Sequence, residues 1–180
     1  MSLTVDKSRK DLERQRKAAI MTDLESRLQR LEDRQAIIDV VISYCVAVDG
    51  RDWAMFADCF ASTVLRDSGE VSREEFVAIV EGALPGFRST QHLSTNHVVT
   101  FDPNDPDSAT CDSDMYAQHF LDESEGGTYY LLRARYSDLM TRTPDGWKIR
   151  AITTTNRWEE GNLNAVAEAR ERVRLRSASA

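Results

Sequence analysis

The 180-residue chain predicts an α+β domain, a curved antiparallel sheet wrapped around an N-terminal helical layer. Two observations carry this. Up to residue 60, apolar residues recur at helical spacing. From residue 89 to 160, four long β-rich runs follow one another across short turn signals. A strongly curved sheet closed by helices leaves a concave pocket.

Residues 6–37 are rich in Glu, Lys, Arg, Gln, Leu and Ala and contain neither Gly nor Pro, which predicts helix. Leu24, Leu28, Leu31 and Ile38 recur at spacings of four, three and seven. This seam is too brief for a lasting coiled coil but long enough to lie against a partner or the body. Residues 1–30 are expected as a partly mobile N-terminal helical extension. Ile37, Ile38, Val41, Ile42, Cys45 and Val48 then form one apolar helical stripe, with a break at Asp49-Gly50. Trp53, Phe56 and Phe60 form a second stripe, read as core. "STVLRDSG" (62–69) suits a short strand and turn. Ser72 with Glu75 three residues on marks a capping box for a helix over 72–84, ended by Pro85-Gly86.

The strands are expected at 89–102, 108–122, 127–143 and 146–160, separated by "PNDPD", "ESEGG" and "TPDG". Short turns between long strands mean an antiparallel meander, and Trp147 packs where the last run starts. The folded domain is thus assigned to 31–160. The tail, 161–180, is expected to be helical or disordered, with "EARERVRLR" as a solvated face.

Composition narrows the function. A net charge of −7 repels nucleic acid, and no basic stripe interleaved with aromatics is present. The N-terminus is polar, and no apolar run approaches the roughly 20 residues that span a bilayer. The expectation is a cytoplasmic protein with no membrane and no nucleic-acid partner, binding a small, neutral or weakly charged molecule. Cys45, Cys59 and Cys111 are scattered and odd in number, which reads as three buried thiols rather than disulfides or a zinc site. No Gly-rich phosphate loop is present to hold an organic cofactor; no cofactor and no metal are expected.

The chemistry-bearing residues cluster on "RSTQHLSTNHVV" (88–99). Strand alternation puts His92, Ser94, Asn96 and Val98 on one face and Leu93, Thr95, His97 and Val99 on the other. His92 and His97 then point oppositely unless a bulge intervenes, which disfavours a two-histidine metal centre and makes His97 structural. On 109–121, Met115, Ala117 and His119 share a face with Cys111 and Ser113. Asp49 ends the first apolar helix. Tyr44, five residues earlier, lies about 140° away around an ideal helix. The two can edge one cavity only if the helix loosens near Gly50.

"LEDRQAIIDVVISYCVAVDGRDWAMFADCF", "QHLSTNHVVTF", "YAQH" and "DGWKI", in that order, resemble the SnoaL-like branch of the nuclear transport factor 2-like superfamily, over roughly residues 30–160. The resemblance implies a cone-shaped α+β barrel. It is nearest to the group of scytalone dehydratase, bile acid 7α-dehydratase and hexachlorocyclohexane dehydrochlorinase. It implies a catalytic Asp49–His92 dyad, with Tyr44 and His119 as further catalytic residues. Ile152 stands where the dehydrochlorinase has an arginine. Asn156 or Thr154, on the same face by alternation, could supply a neutral hydrogen bond. Asn96, Met115, Ile152 and Asn156 are the expected substrate-binding residues.

The implied activity is a cofactor-independent lyase, dehydratase-like, or an isomerase acting on a hydrophobic cyclic or polycyclic compound. In that chemistry Tyr44, or His119 in its protonated form, holds a carbonyl oxygen or protonates a departing hydroxyl. The alternative is a non-catalytic binding or assembly subunit, such as the small subunit of a ring-hydroxylating dioxygenase. A homo-oligomer is expected, a trimer or a dimer.

Overall fold

The computed structural model describes the backbone of residues 2–66 and 69–179 and the side chains of 13–66 and 69–179. The turn expected at Asp67 and Ser68 lies outside the described residues. The chain divides into two compact units, Met1–Gln35 and Ala36–Ala180. In the first, residues 2–35 are helical, the N-terminal part of α1 (Ser2–Gly50).

In the second unit, the end of α1 is followed by α2 (Trp53–Asp58), β1 (Phe60–Arg66), β2 (Gly69–Ser72) and α3 (Arg73–Glu81). A 3-10 turn at Leu84–Gly86 leads into β3 (Ser89–Phe101), β4 (Ser108–Phe120), β5 (Tyr129–Thr143) and β6 (Gly146–Gly161). The last element is α4 (Ala165–Ala178). The architecture is the expected α+β cone fold, a curved six-stranded sheet with helices. Its strand order is β2-β1-β6-β5-β4-β3. The meander β3–β6 is antiparallel throughout, while β1 joins β6 in parallel.

Local chemistry explains the element boundaries. The Ser72 hydroxyl accepts from the Glu75 backbone N–H while the Glu75 carboxylate accepts from the Ser72 N–H, the capping box the sequence predicts. That helix ends at Glu81 rather than 84, because Pro85 is taken up by the 3-10 turn. α1 stays helical through Gly50, and the residue that turns the chain left-handed is Arg51, at φ 59°. Asp52 then caps α2 by accepting from the Met55 N–H.

The core sits between the sheet's inner face and these helices. Ile37, Val41, Ala47, Val48, Phe56, Phe60, Val64, Met140 and Ile149 pack there, and the Trp53–Phe56–Phe60 stripe is core as expected. Burying such side chains contributes about 1.5–3 kcal/mol each, by far the largest favourable term. Trp147 is buried at the start of β6, with the Arg142 guanidinium 4.5 Å above its ring. α4 packs on the 3-10 turn so closely that Gly86 faces the Ala169 backbone. No helix among the described residues is long and apolar enough to cross a membrane.

Candidate active site

β4 alternates strictly. Ala109, Cys111, Ser113, Met115, Ala117 and His119 are buried, and their neighbours face out. Cross-strand pairing carries that inner face to β3 at His92 and to β5 at Tyr130, Leu132, Ala134, Tyr136, Asp138 and Met140. It then reaches β6 at Ile152, Thr154 and Asn156.

β3 departs from simple alternation. Its pairing steps from Thr95↔Asp114 to Val98↔Asp112, three residues against two, with Asn96 at φ 55°. This is a bulge. It turns Asn96 outward, where its amide donates to the Asp114 carboxylate at 2.9 Å. It also brings His97 and Val99 onto the inner face with His92 and Ser94. Two expectations are thereby corrected: Asn96 does not share a face with His92, and His97 does. The His97 Nε2 lies 2.9 Å from the Ser94 hydroxyl, and burial holds its pKa below the ordinary value.

Asp49 and His92 meet. The carboxylate Oδ1 lies 2.7 Å from His92 Nδ1, and Oδ2 accepts the His92 backbone N–H at 2.7 Å. Oδ1 also accepts from the Thr90 hydroxyl at 2.8 Å, and Thr90 in turn accepts from Arg51 at 3.0 Å. The left-handed Arg51 is held by its own bond to the Val48 carbonyl. Burial alone would raise the Asp49 pKa. The ring and backbone bonds from His92, with Thr90, outweigh it and hold the carboxyl below its usual range. An ionised carboxylate only accepts, so Nδ1 carries a proton, and in the neutral ring Nε2 is then the nitrogen that presents a lone pair. The His92 side chain is 7% exposed and that of Asp49 23%.

His119 joins them edge to face, its ring 5.2 Å from that of His92 and boxed by Phe87 at 4.8 Å and Tyr130 at 5.4 Å. Burial first, then repulsion from His92, pushes its pKa down to about 4. It is therefore neutral at neutral pH, which corrects the expectation of a protonated His119 acting as an acid.

Tyr44 goes elsewhere. Because α1 does not loosen before Arg51, Tyr44 and Asp49 keep their angular separation. Tyr44 packs on Phe56 and Phe60 and lines a cavity of about 370 Å³ with Val64, Leu65, Arg66, Phe76, Tyr136, Ile152 and Thr154. Burial raises the pKa of both Tyr44 and Tyr136, the latter to about 12, so both phenols stay protonated donors. Met115 is fully buried with Cys45 and Ala117, between Tyr44, Leu132 and Tyr136. Ile152 lines the Tyr44 cavity, whereas Asn156 lies exposed further along the same face.

Four residues escaped sequence reasoning. Arg51 and Thr90 complete the carboxylate network. Arg66, from β1, supplies the Tyr44 cavity with a cation that Ile152 does not. Asp138, 2% exposed, is the deepest acid among the described residues: burial and then the charge of Asp112 push its pKa up to about 7, and its Oδ1 has no hydrogen-bond partner. Only the cation could have been sought from the sequence, as a replacement for the charge missing at Ile152. The three cysteines are buried and form no disulfide, and burial pushes the Cys45 thiol up to about 12 and that of Cys59 to about 11, which makes these two poor nucleophiles. No metal-binding cluster is present among the described residues.

A family model described as a SnoaL-like domain matches residues 29–153. No curated protein matches the chain. Among solved structures, a candidate aromatic ring hydroxylase from Novosphingobium aromaticivorans is 24% identical, covering 76% of this chain and 97% of its own at a TM-score of 0.66. A candidate scytalone dehydratase from the same organism is 20% identical, covering 73% and 88% at 0.64. A hexachlorocyclohexane dehydrochlorinase from Novosphingobium barchaimii is 22% identical, covering 74% and 92%, also at 0.64. At these identities the likeness is one of fold.

Proposed function

Because the chain belongs to the SnoaL-like domain family, we propose that it is a cofactor-independent lyase of the dehydratase kind, or an isomerase. Its substrate would be a hydrophobic cyclic or polycyclic small molecule, with the Asp49–His92 pair as general base. The observation that carries this reading is the 2.7 Å contact between an ionised carboxylate and one imidazole nitrogen, which leaves the other nitrogen basic.

In the proposed reaction, His92 Nε2 removes a proton from a carbon next to a carbonyl. The electron pair of that C–H bond becomes a new double bond. The C–O bond to a neighbouring hydroxyl breaks, and the departing hydroxide leaves as water on taking from His92 Nε2 the proton it removed, which restores the neutral ring. Asp49 stabilises the imidazolium formed on the way and keeps the ring in its tautomer. Assistance of this kind contributes about 10²–10⁴ in rate. The phenol of Tyr44, with Tyr136 beside it, faces its own cavity rather than the dyad, so its part would be to donate to a distant oxygen of a substrate long enough to span both. Arg66 in the same cavity favours a substrate that carries an oxyanion or a polarised carbonyl there. Met115 and Ile152 would serve as apolar walls and Asn156 as a neutral hydrogen-bonding group. His119, neutral, fixes the orientation of the His92 ring.

Screening hydroxylated cyclic ketones for loss of water tests the class of reaction. On a substrate so found, Asp49→Asn and His92→Ala should each abolish turnover with the circular dichroism spectrum unchanged. Full activity in both variants would refute the dyad. The rival reading, a non-catalytic subunit, predicts no turnover in the wild type and co-purification with a larger catalytic chain.

A further inference from the structure

We propose that residues 21–35 of α1 pair, parallel and in register, with the same segment of a second copy of this chain, a two-heptad contact that associates reversibly rather than a lasting coiled coil. The inference is independent of the proposed activity. Met21, Leu24, Leu28, Leu31 and Gln35 are spaced three, four, three and four apart, which sets them at a, d, a, d and a of successive heptads. Ile38 and Ile42 continue the same spacing in the sequence. The four apolar members are open to solvent, Leu28 by 56% and Leu31 by 65%. Scattered exposed leucines are ordinary, but a row on one helical seam is what a partner helix covers.

Charge selects the partner and its direction. Glu25 and Glu32 fall at e, and Arg27 and Arg34 fall at g. In a parallel pair each g residue faces the e residue of the next heptad across the seam, so Arg27 meets Glu32 of the second copy. An antiparallel pair would set arginine against arginine and glutamate against glutamate. Within one helix, residues 27 and 32 are five apart and do not face each other, so this pattern brings nothing to an isolated helix. The intrachain partner of Arg27 is Asp23, a solvated pair 3.8 Å apart. Gln35, polar at a seam position, is the kind of residue that fixes register at the expense of affinity.

The test uses the full chain in sedimentation equilibrium across the micromolar range. The wild type should associate. Leu28→Lys with Leu31→Lys should be monomeric while melting at the wild-type temperature. Arg27→Glu should weaken association at least about tenfold, and adding Glu32→Arg to it should restore it, because in a parallel pair both contacts are then re-formed with signs exchanged. Leu24→Cys should cross-link to its own mate on oxidation, the native cysteines being buried. A wild type monomeric throughout would overturn the proposal. So would an oligomer that survives the two lysines and dissociates instead on Trp158→Lys at the sheet's outer face, or a charge exchange without rescue.

Discussion

Replacing Asp138 by asparagine should remove a pH-dependent destabilisation of about 4 kcal/mol. The carboxyl is 2% exposed, its Oδ1 has no partner, and burial with the neighbouring Asp112 charge raises it from 3.8 to about 7. At about 1.36 kcal/mol per pH unit, that displacement gives the figure. Below about pH 4 the acid is protonated folded or unfolded and contributes no slope. Between about pH 4 and 7 the unfolded chain releases the proton while the folded chain keeps it, so stability falls as pH rises; above about 7 the loss levels off. Asparagine keeps the shape and cannot ionise. Urea unfolding of both proteins, followed by circular dichroism from about pH 4 to pH 8, measures the gap between them, and groups unaffected by the change cancel. The gap should shift in favour of the variant by about 4 kcal/mol across that range. A gap that stays constant with pH would refute the idea that this carboxyl is held neutral by its surroundings.

Thr90→Val should lower kcat/KM about tenfold, the worth of one charge-assisted hydrogen bond to Asp49, and Thr90→Ser should recover most of it. The His119 ring should keep its neutral proton NMR shifts down to about pH 5 and move only near pH 4, since burial and His92 depress it; a midpoint near 6.5 would contradict that. Because its folded pKa lies below its unfolded one, His119 withdraws stability as pH falls from about 6.5 towards 4. Gly86→Ala would put a Cβ 2.0 Å from the Ala169 carbonyl oxygen, a backbone atom that cannot swing aside. It should destabilise by about 2–5 kcal/mol, read as a lowered melting temperature.

Much of the fold was legible because its signals are local. The period of β4, the capping box at Ser72 and the turn residues between the long strands each act within a few positions. The pairing of Asp49 with His92 was legible only through resemblance, since nothing in the spacing of residues 43 apart predicts contact. What failed did so where register is weakly specified. "STNHV" carries no alternation of apolar and polar residues to betray an extra residue, so the bulge at Asn96 inverted every later position on β3. Tyr44 was misplaced for a related reason: the left-handed residue was sought at Gly50, the conformationally free one, while the structure puts it at Arg51. The burial of Asp138 follows from its pairing with Cys111 and Ile152, a long-range consequence of the sheet.

The terminal helix ties the last stretch of sequence to the ring cage of His119. Ala165 and Ala169 share one apolar cluster with Phe87, Leu121 and Tyr130, and two of those aromatics touch the imidazole. Arg176 reaches back to the Pro85 carbonyl and Arg172 to that of Asp122. Trimming the polypeptide ahead of residue 165, or fusing a bulky tag that pries this clasp open, would wet Phe87 and Tyr130 and hand His119 back to water. Its proton affinity would then climb towards that of a free imidazole. The far end of the chain thus acts as a seal over the His119 ring.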